Sequence, residues 1–593
     1  VEPASSAAPQ APKEGPLTAA AEPEGLVLVG RASQSGAADL RLLGLPPLVV
    51  TPSRFAVSAR EVEELVDAGA PYEFAWVIDG PESILSRQFT AVVSIPLRSW
   101  DEARSRMLQL RQGSDDEINR GGDGNVTIEG SYGACVLGRA LGSSPARIVC
   151  AGTKNAVDRL APYALTALPT RDFGGGSAVL ELFPSRAVKG KEEQYARVAR
   201  MLTSVAGWGS QSSDRLFLEP MLETVLPELV DLTGDVDKAR FALAEESGDV
   251  TISGRVELAR ARSWTARTLG DAAAQPDARE MFFRLPQSST LAWFSSSSRG
   301  ERVDEARKSL ASWLKNYMGP KFRAETADLI SNTFLPREPM VYGQGDLVEE
   351  DARHQPGGKR IYDKTLSTYG WHVMGYLGKA SSFEPQLDRG MAAYNNGDLR
   401  NFAYRELASL CPGLTKITRR PALGGLPKGS VLYEMRLPGK FFDDCANRYQ
   451  PTKGTASPAA SLNVILVPDG NITWIGLSAD EAILRKQLAS VMSKKDTLAG
   501  DASLDAIKGG DAKGGGFISL AGLGGLERFL TMNDFVTWRR SLLASRPNKG
   551  RTRMPFRFDV TKNGDRSTLT LSARMPRGMV DDARDARPSY DPG

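Results

Sequence analysis

The chain has 593 residues, with 74 Lys or Arg against 71 Asp or Glu, for a formal net charge of +3. So even a balance, without a concentrated basic stripe, excludes the usual nucleic-acid binder, and the lack of an apolar run of about 18 residues excludes a transmembrane helix. At this length about two to four domains are expected, and 41% hydrophobic residues give each a core that needs no disulfide or metal to fold.

In chain order, residues 1–24 are dominated by Ala, Pro, Glu and Ser, with Pro3, Pro9, Pro12, Pro16 and Pro23. Such a stretch buries too little apolar surface to offset its ordering entropy, so a disordered tether is expected. A first lobe over 25–274 alternates short apolar runs with helical patterns. Strands are predicted at 26–29, 55–57, 74–78 and 89–95, with Ser58 capping a helix at 60–66 and a further helix starting near Ser99 or Asp101. A hairpin of 126–141 and 147–151 turns at Gly142-Ser143-Ser144-Pro145, and a helix from Asn155 is expected to kink or stop at Pro162. A strand at 178–183, helices at 193–205 and 216–232, and a hairpin of 239–244 and 250–259 complete the lobe.

A second lobe over 275–575 opens with a strand at 290–294, the serine block Ser295 to Ser298 as a helix cap, and helices at 303–317 and 324–334. The polar stretch 343–364, containing Glu349-Glu350-Asp351, reads as an exposed insertion. The lobe ends in a hairpin in which Phe556, Phe558 and Val560 alternate with polar residues, Asn563-Gly564 turns, and Leu569 and Leu571 alternate on the return. Residues 576–593 read as a loose tail.

The two lobes repeat one layout. The run 147–152 leading to Leu160 matches 471–476 leading to Leu484, and the glycine triplet of 174–176 before a strand matches that of 514–516. Upstream, 92–97 leading into Trp100 matches 373–377 leading into Phe383, and the hairpin returns after Gly248-Asp249 and Gly564-Asp565 correspond. Pairs kept in one order predict a duplication. The expected fold class is α+β, with two tandem related lobes, each an antiparallel sheet packed by helices.

The chain begins at Val1, which suggests a processed terminus. With the Pro/Ala-rich stretch that follows, it resembles a mature secreted protein or lipoprotein of a Gram-negative bacterium, although no cysteine precedes Val1 to carry an acyl group. The resemblance covers those first residues and implies an extracytoplasmic location, in the periplasm or at the outer surface, with membrane association only through the tether.

Four cysteines give separate support. Cys135 and Cys150 fall on facing strands of one hairpin, within disulfide reach, and Cys411 with Cys445 would close a second bridge inside the other lobe. The alternative is four buried free thiols, and four cysteines allow three connectivities.

The sequence shows no catalytic signature. Only two histidines occur, His354 in the polar insertion and His372 in a strand, which weakens a Ser-His-Asp triad and a histidine-rich zinc site. His372 reads as a core or edge histidine, and Ser295 to Ser298 have no neighbouring base. The glycine triplets precede strands instead of linking a strand to a helix, so they read as turns of positive φ and not as phosphate cradles. Asp115, Asp116 and Glu117 with Asp123 form the best cation candidate, without the spacing of an EF-hand.

No catalytic residue, metal ligand or cofactor is therefore predicted. The expected function is a non-enzymatic extracytoplasmic binding or scaffold protein with a protein partner in the cell envelope. The alternatives are a structural subunit of a larger surface assembly and an envelope hydrolase acting through paired carboxylates.

Overall fold

A computed structural model describes residues 17–33, 64–78, 90–110, 117–120, 125–130, 133–195, 197–198, 225–273, 278–296, 299–318, 323–335, 337–346, 370–397, 416–422, 424–437, 460–509, 512–523 and 546–585. The fold is mixed α and β, and the strand pairings are antiparallel. Two compact units divide the chain, one formed by 1–191 with 238–244 and the other by 192–237 with 245–593. The division does not fall at residue 275. Residues 245–273, which the sequence reading assigned to the first lobe, belong with the second unit.

In the first unit the ladder runs from β4 (Glu117–Arg120) through β5 (Val126–Gly130), β6 (Gly133–Arg139) and β7 (Ala146–Ala151) to β3 (Thr90–Leu97). It continues through β2 (Tyr72–Val77), β1 (Leu26–Ala32) and β8 (Ala178–Leu182) to β9 (Val236–Glu246). The helix Lys154–Thr166 buries Val157, Leu160, Ala161, Ala164 and Leu165, positions that share one helical face. They join a core with Val29, Ala75, Val92 and Val149 from the strands.

In the second unit the ladder runs from β14 (Ile417–Pro421) through β15 (Val431–Leu437), β16 (Ala460–Asp469) and β17 (Ile472–Ser478) to β13 (Trp371–Tyr376). It continues through β12 (Met340–Gly345), β11 (Leu291–Ser295) and β18 (Gly514–Ile518) to β19 (Met554–Asn563). Last come β20 (Arg566–Met575) and, against it, β10 (Asp249–Leu258). The helix Glu481–Ser493 packs Leu484, Leu488 and Val491 into a core that holds Trp371, Trp474, Phe282, Phe294 and Phe517. Adding ten to each strand label of the first ladder gives the second, and the matched sequence pairs fall on corresponding strands. The strand order thus repeats along the chain.

Several local expectations are corrected. The segment 126–141 is itself a hairpin, with β5 and β6 paired from Val126↔Leu137 to Gly130↔Gly133. Pro162 does not end its helix, which runs on to Thr166. It sits on the exposed side, where water can serve the carbonyl left without an N–H. Residues 343–345 are the end of β12 and not part of a loop, while 347–364 lie outside the described residues. In place of a loose tail, Arg577–Asp585 is a helix. Its buried Asp582 accepts bonds from the backbone N–H groups of Asn548, at 3.2 Å, and Gly550, at 2.8 Å.

Residues 17–24 of the expected tether lie against the first unit. The Ala20 N–H donates to Thr166 Oγ1 at 2.9 Å, and Glu22 bridges Arg171 at 2.9 Å and Arg186 at 3.0 Å. The glycine triplets also differ from each other. Gly174 and Gly176 do have positive φ, 64° and 137°, but Gly514 to Gly516 lie inside β18, between β11 and β19. There a Cβ on Gly516 would come within 2.1 Å of the Ala292 carbonyl oxygen, so the need is close backbone approach and not a turn.

Candidate functional site

The candidate site is a pocket of the second unit, assembled from two helices that pack on each other and from the strands behind them. In helix Gly300–Met318, Leu310, Ala311, Trp313 and Leu314 lie at helical spacing and meet Ala327 and Ile330 of helix Ala324–Phe334. That packing brings Arg307 and Asn332 to one mouth. Behind them β13 supplies Tyr376, β17 supplies Ile475, and helix Ala380–Asn395 supplies Phe383, Gln386 and Leu387. With Arg337 and Glu338, these line a cavity of about 220 Å³.

The floor is apolar. The Tyr376 and Phe383 rings lie 5.0 Å apart, in a cluster with Leu466 and Ile475 and with Met340, Met374 and Leu387 at its margin. The Tyr376 hydroxyl donates to Met374 Sδ at 3.4 Å. Burial, helped by the nearby Glu338 charge, pushes its pKa up to about 12, so it stays a neutral phenol.

The rim is charged. Arg337 Nη2 donates to both Asp304 oxygens, at 2.5 and 2.6 Å. Arg307 donates from Nε to the Leu335 carbonyl at 2.8 Å, and its Nη1 is 3.8 Å from Asp304 Oδ1. Burial and then repulsion from Arg337 lower the Arg307 pKa, against the pull of Asp304 and Glu338. Asp304 thus serves Arg337 first, and Arg307 is the less neutralised cation of the rim.

Three further polar groups are buried away from the pocket. In the first unit Glu73 and Arg147 are fully buried and 2.8 Å apart, and Arg31 reaches the other Glu73 oxygen, also at 2.8 Å. Burial raises the Glu73 pKa in spite of Arg147 and Arg31. Glu181, also buried, is held by Lys238 at 2.6 Å and Arg171 at 2.9 Å. In the second unit His372 is buried in β13, with Nδ1 2.7 Å from the Tyr342 hydroxyl, which donates at 2.8 Å to Gln344. Gln344 in turn donates to the Gly522 carbonyl at 2.9 Å. His372 is therefore a core histidine within a hydrogen-bond chain, as its strand position predicts.

Cys135 and Cys150 stand opposite each other on β6 and β7 and form a disulfide, with Cα atoms 4.1 Å apart. Cys411, Cys445, His354, Asp115, Asp116 and Asp123 lie outside the described residues, as do two of the four serines of the cap, Ser297 and Ser298. Among the described residues, no group of His, Cys, Asp and Glu side chains could hold a metal ion, and no helix is long and apolar enough to cross a membrane. The pocket is not legible in the sequence because its residues come from several elements far apart along the chain. Tyr376, Phe383 and Ile475 fall in the repeated strand and helix segments, which read as structural positions and not as a site.

No protein-family model matches the chain, and no curated protein matches it. Solved structures of TP0453 in crystal forms III, IV and I are similar to 40% of this chain and to 80%, 81% and 80% of their own. Their identities are 8%, 7% and 9%, with TM-scores of 0.20, 0.21 and 0.20, too low for a shared fold to be drawn from them.

Proposed function

We propose that the protein is a non-enzymatic binding or scaffold protein of an extracytoplasmic compartment, acting on a protein partner in the cell envelope. The observation that carries this reading is the chemistry of the pocket. Its walls offer guanidinium and amide donors above an aromatic floor, which is equipment for holding a group in place. The Cys135–Cys150 disulfide supports an oxidising compartment.

A carboxylate hydrolase would place two acids across a cleft, one with a raised pKa. The described carboxylate with a raised pKa is Glu73, which is closed in by Arg147 and Arg31, while the pocket is lined by the single acid Glu338. The test is turnover of an ester, peptide and glycan panel by the purified, oxidised protein. Rates equal to those of buffer agree with the proposal. Turnover that disappears in a Glu338→Gln variant rejects it.

A further inference from the structure

We propose that the pocket holds a carboxylate monoanion carrying one apolar group of about aromatic-ring size, the charge on Arg307 and the apolar group on the Tyr376–Phe383 floor. This deepens the reading of the protein as a binding protein and rests on it.

The size is right for such a group. A cavity of roughly 150 Å³ lined by apolar side chains takes up benzene, whereas drug-sized ligands need about 300 Å³ or more. At about 220 Å³ the pocket lies between the two. The polarity is divided in the same sense, with Tyr376, Phe383, Leu387 and Ile475 on the floor and Arg307, Asn332 and Gln386 above.

The charge argument selects a monoanion. Both Arg337 contacts with Asp304 are short, so that cation is already answered, while Arg307 has Asp304 only at 3.8 Å. A carboxylate on Arg307 would give that cation a direct partner, where it now has Asp304 at 3.8 Å and the nearby Glu338 charge, in a partly desolvated setting where charge-assisted bonds are strongest. Glu338, on the same wall, weighs against a dianion such as a phosphate monoester. Asn332 is half-buried, and Gln386, which donates to the Ser382 carbonyl at 3.1 Å, keeps a second amide hydrogen. Such amides can also pair with a peptide group next to the carboxylate, so the ligand has two possible sources, a free organic acid and the C-terminal residue of a partner chain.

The experiment is calorimetric or NMR titration of the full-length protein with three probes: N-acetyl-phenylalanine, its C-terminal amide, and 3-phenylpropionate. Saturable binding of the acids, with the amide at least ten-fold weaker, is expected. Equal binding of both acids assigns a free acid, and a ten-fold preference for N-acetyl-phenylalanine assigns a chain end. Binding of the amide as tight as that of its acid overturns the proposal, as does failure of every probe to bind. Arg307→Gln should weaken the acids at least ten-fold. Because Arg307 also holds the Leu335 carbonyl, Asn332→Asp is the second variant; it leaves that bond in place and should weaken the acids by a similar factor. Unchanged affinity in a folded variant of either kind overturns the proposal. If it fails while a protein partner is still found in the envelope, the broader binding function stands without it.

Discussion

Gly254 lies directly opposite Leu571 in the β10–β20 pair, and the two occupy the same place in their strands, five residues past Asp249 and Arg566 respectively. The outer pairs follow the same rule. Val250 faces Met575 and Leu258 faces Ser567, so that exchanging each residue for its counterpart returns the same pairs. Locally this is the self-complementary geometry of a two-fold interface, here made within one chain from the last strand of each repeated series.

Leu571 pairs with Gly254 on one side and with Phe558 on the other, so its N–H points to a neighbouring strand whichever way it faces. Leu571→Pro therefore removes a ladder bond and should cost about 2–3 kcal/mol. Urea denaturation would show this as a lower midpoint. An unchanged midpoint would mean that the β10–β20 pair does not support the second unit.

The glycine triplets make a contrasting pair. A Cβ on Gly516 meets the Ala292 backbone at 2.1 Å, while one on Gly175 meets nothing within 4 Å. Gly516→Ala should destabilise by more than about 3 kcal/mol, and Gly175→Ala should stay within about 0.5 kcal/mol of the parent. Thermal melts of the two variants side by side decide this, and equal melting temperatures would contradict it.

Many of the strands and helices along the chain, and their repeated layout, were legible because alternation, turn residues and helix caps are local, and the matched pairs on β7, β8 and β10 recur on β17, β18 and β20. Glycine showed the limit. Gly174-Gly175-Gly176 and Gly514-Gly515-Gly516 are the same letters, but one serves backbone conformation and the other serves approach to β11. Pro162 does not stop its helix because it sits on the side that meets water, a placement set by packing and not by local sequence. The pocket was not legible at all, since Arg307, Tyr376 and Ile475 converge only through packing.

The disulfide closes a loop between Cys135 and Cys150, 15 residues apart. Loop entropy for that length predicts a loss of about 3 kcal/mol in the Cys135→Ala, Cys150→Ala variant. Denaturation of the oxidised parent with and without reductant should reproduce the difference. A parent that is equally stable in reductant would contradict it.

Glu73 and Arg147 test the cost of a closed ion pair. Glu73→Gln leaves Arg147 buried without its counter-charge and should cost about 3–5 kcal/mol, whereas Glu73→Leu with Arg147→Met should recover most of that loss. If the double variant is no more stable than the single one, the pair does more than neutralise itself.

Burial would raise the Glu181 pKa, but hydrogen bonds from Lys238 and Arg171, with their charges, hold it below its ordinary value of 4.5. A carboxylate with a depressed folded pKa contributes stability that is present above 4.5 and is lost as pH falls through the folded value. Stability measured between neutral pH and acid should therefore fall below that point, and less so in Glu181→Gln. Parallel acid limbs for parent and variant would contradict the assignment.

The binding function itself is tested most directly by crosslinking in the native cell envelope followed by mass spectrometry of the purified complex. The account predicts a protein partner crosslinked to this chain in constant proportion. The absence of any crosslinked partner, with turnover of an ester, peptide or glycan by the same preparation, would contradict it.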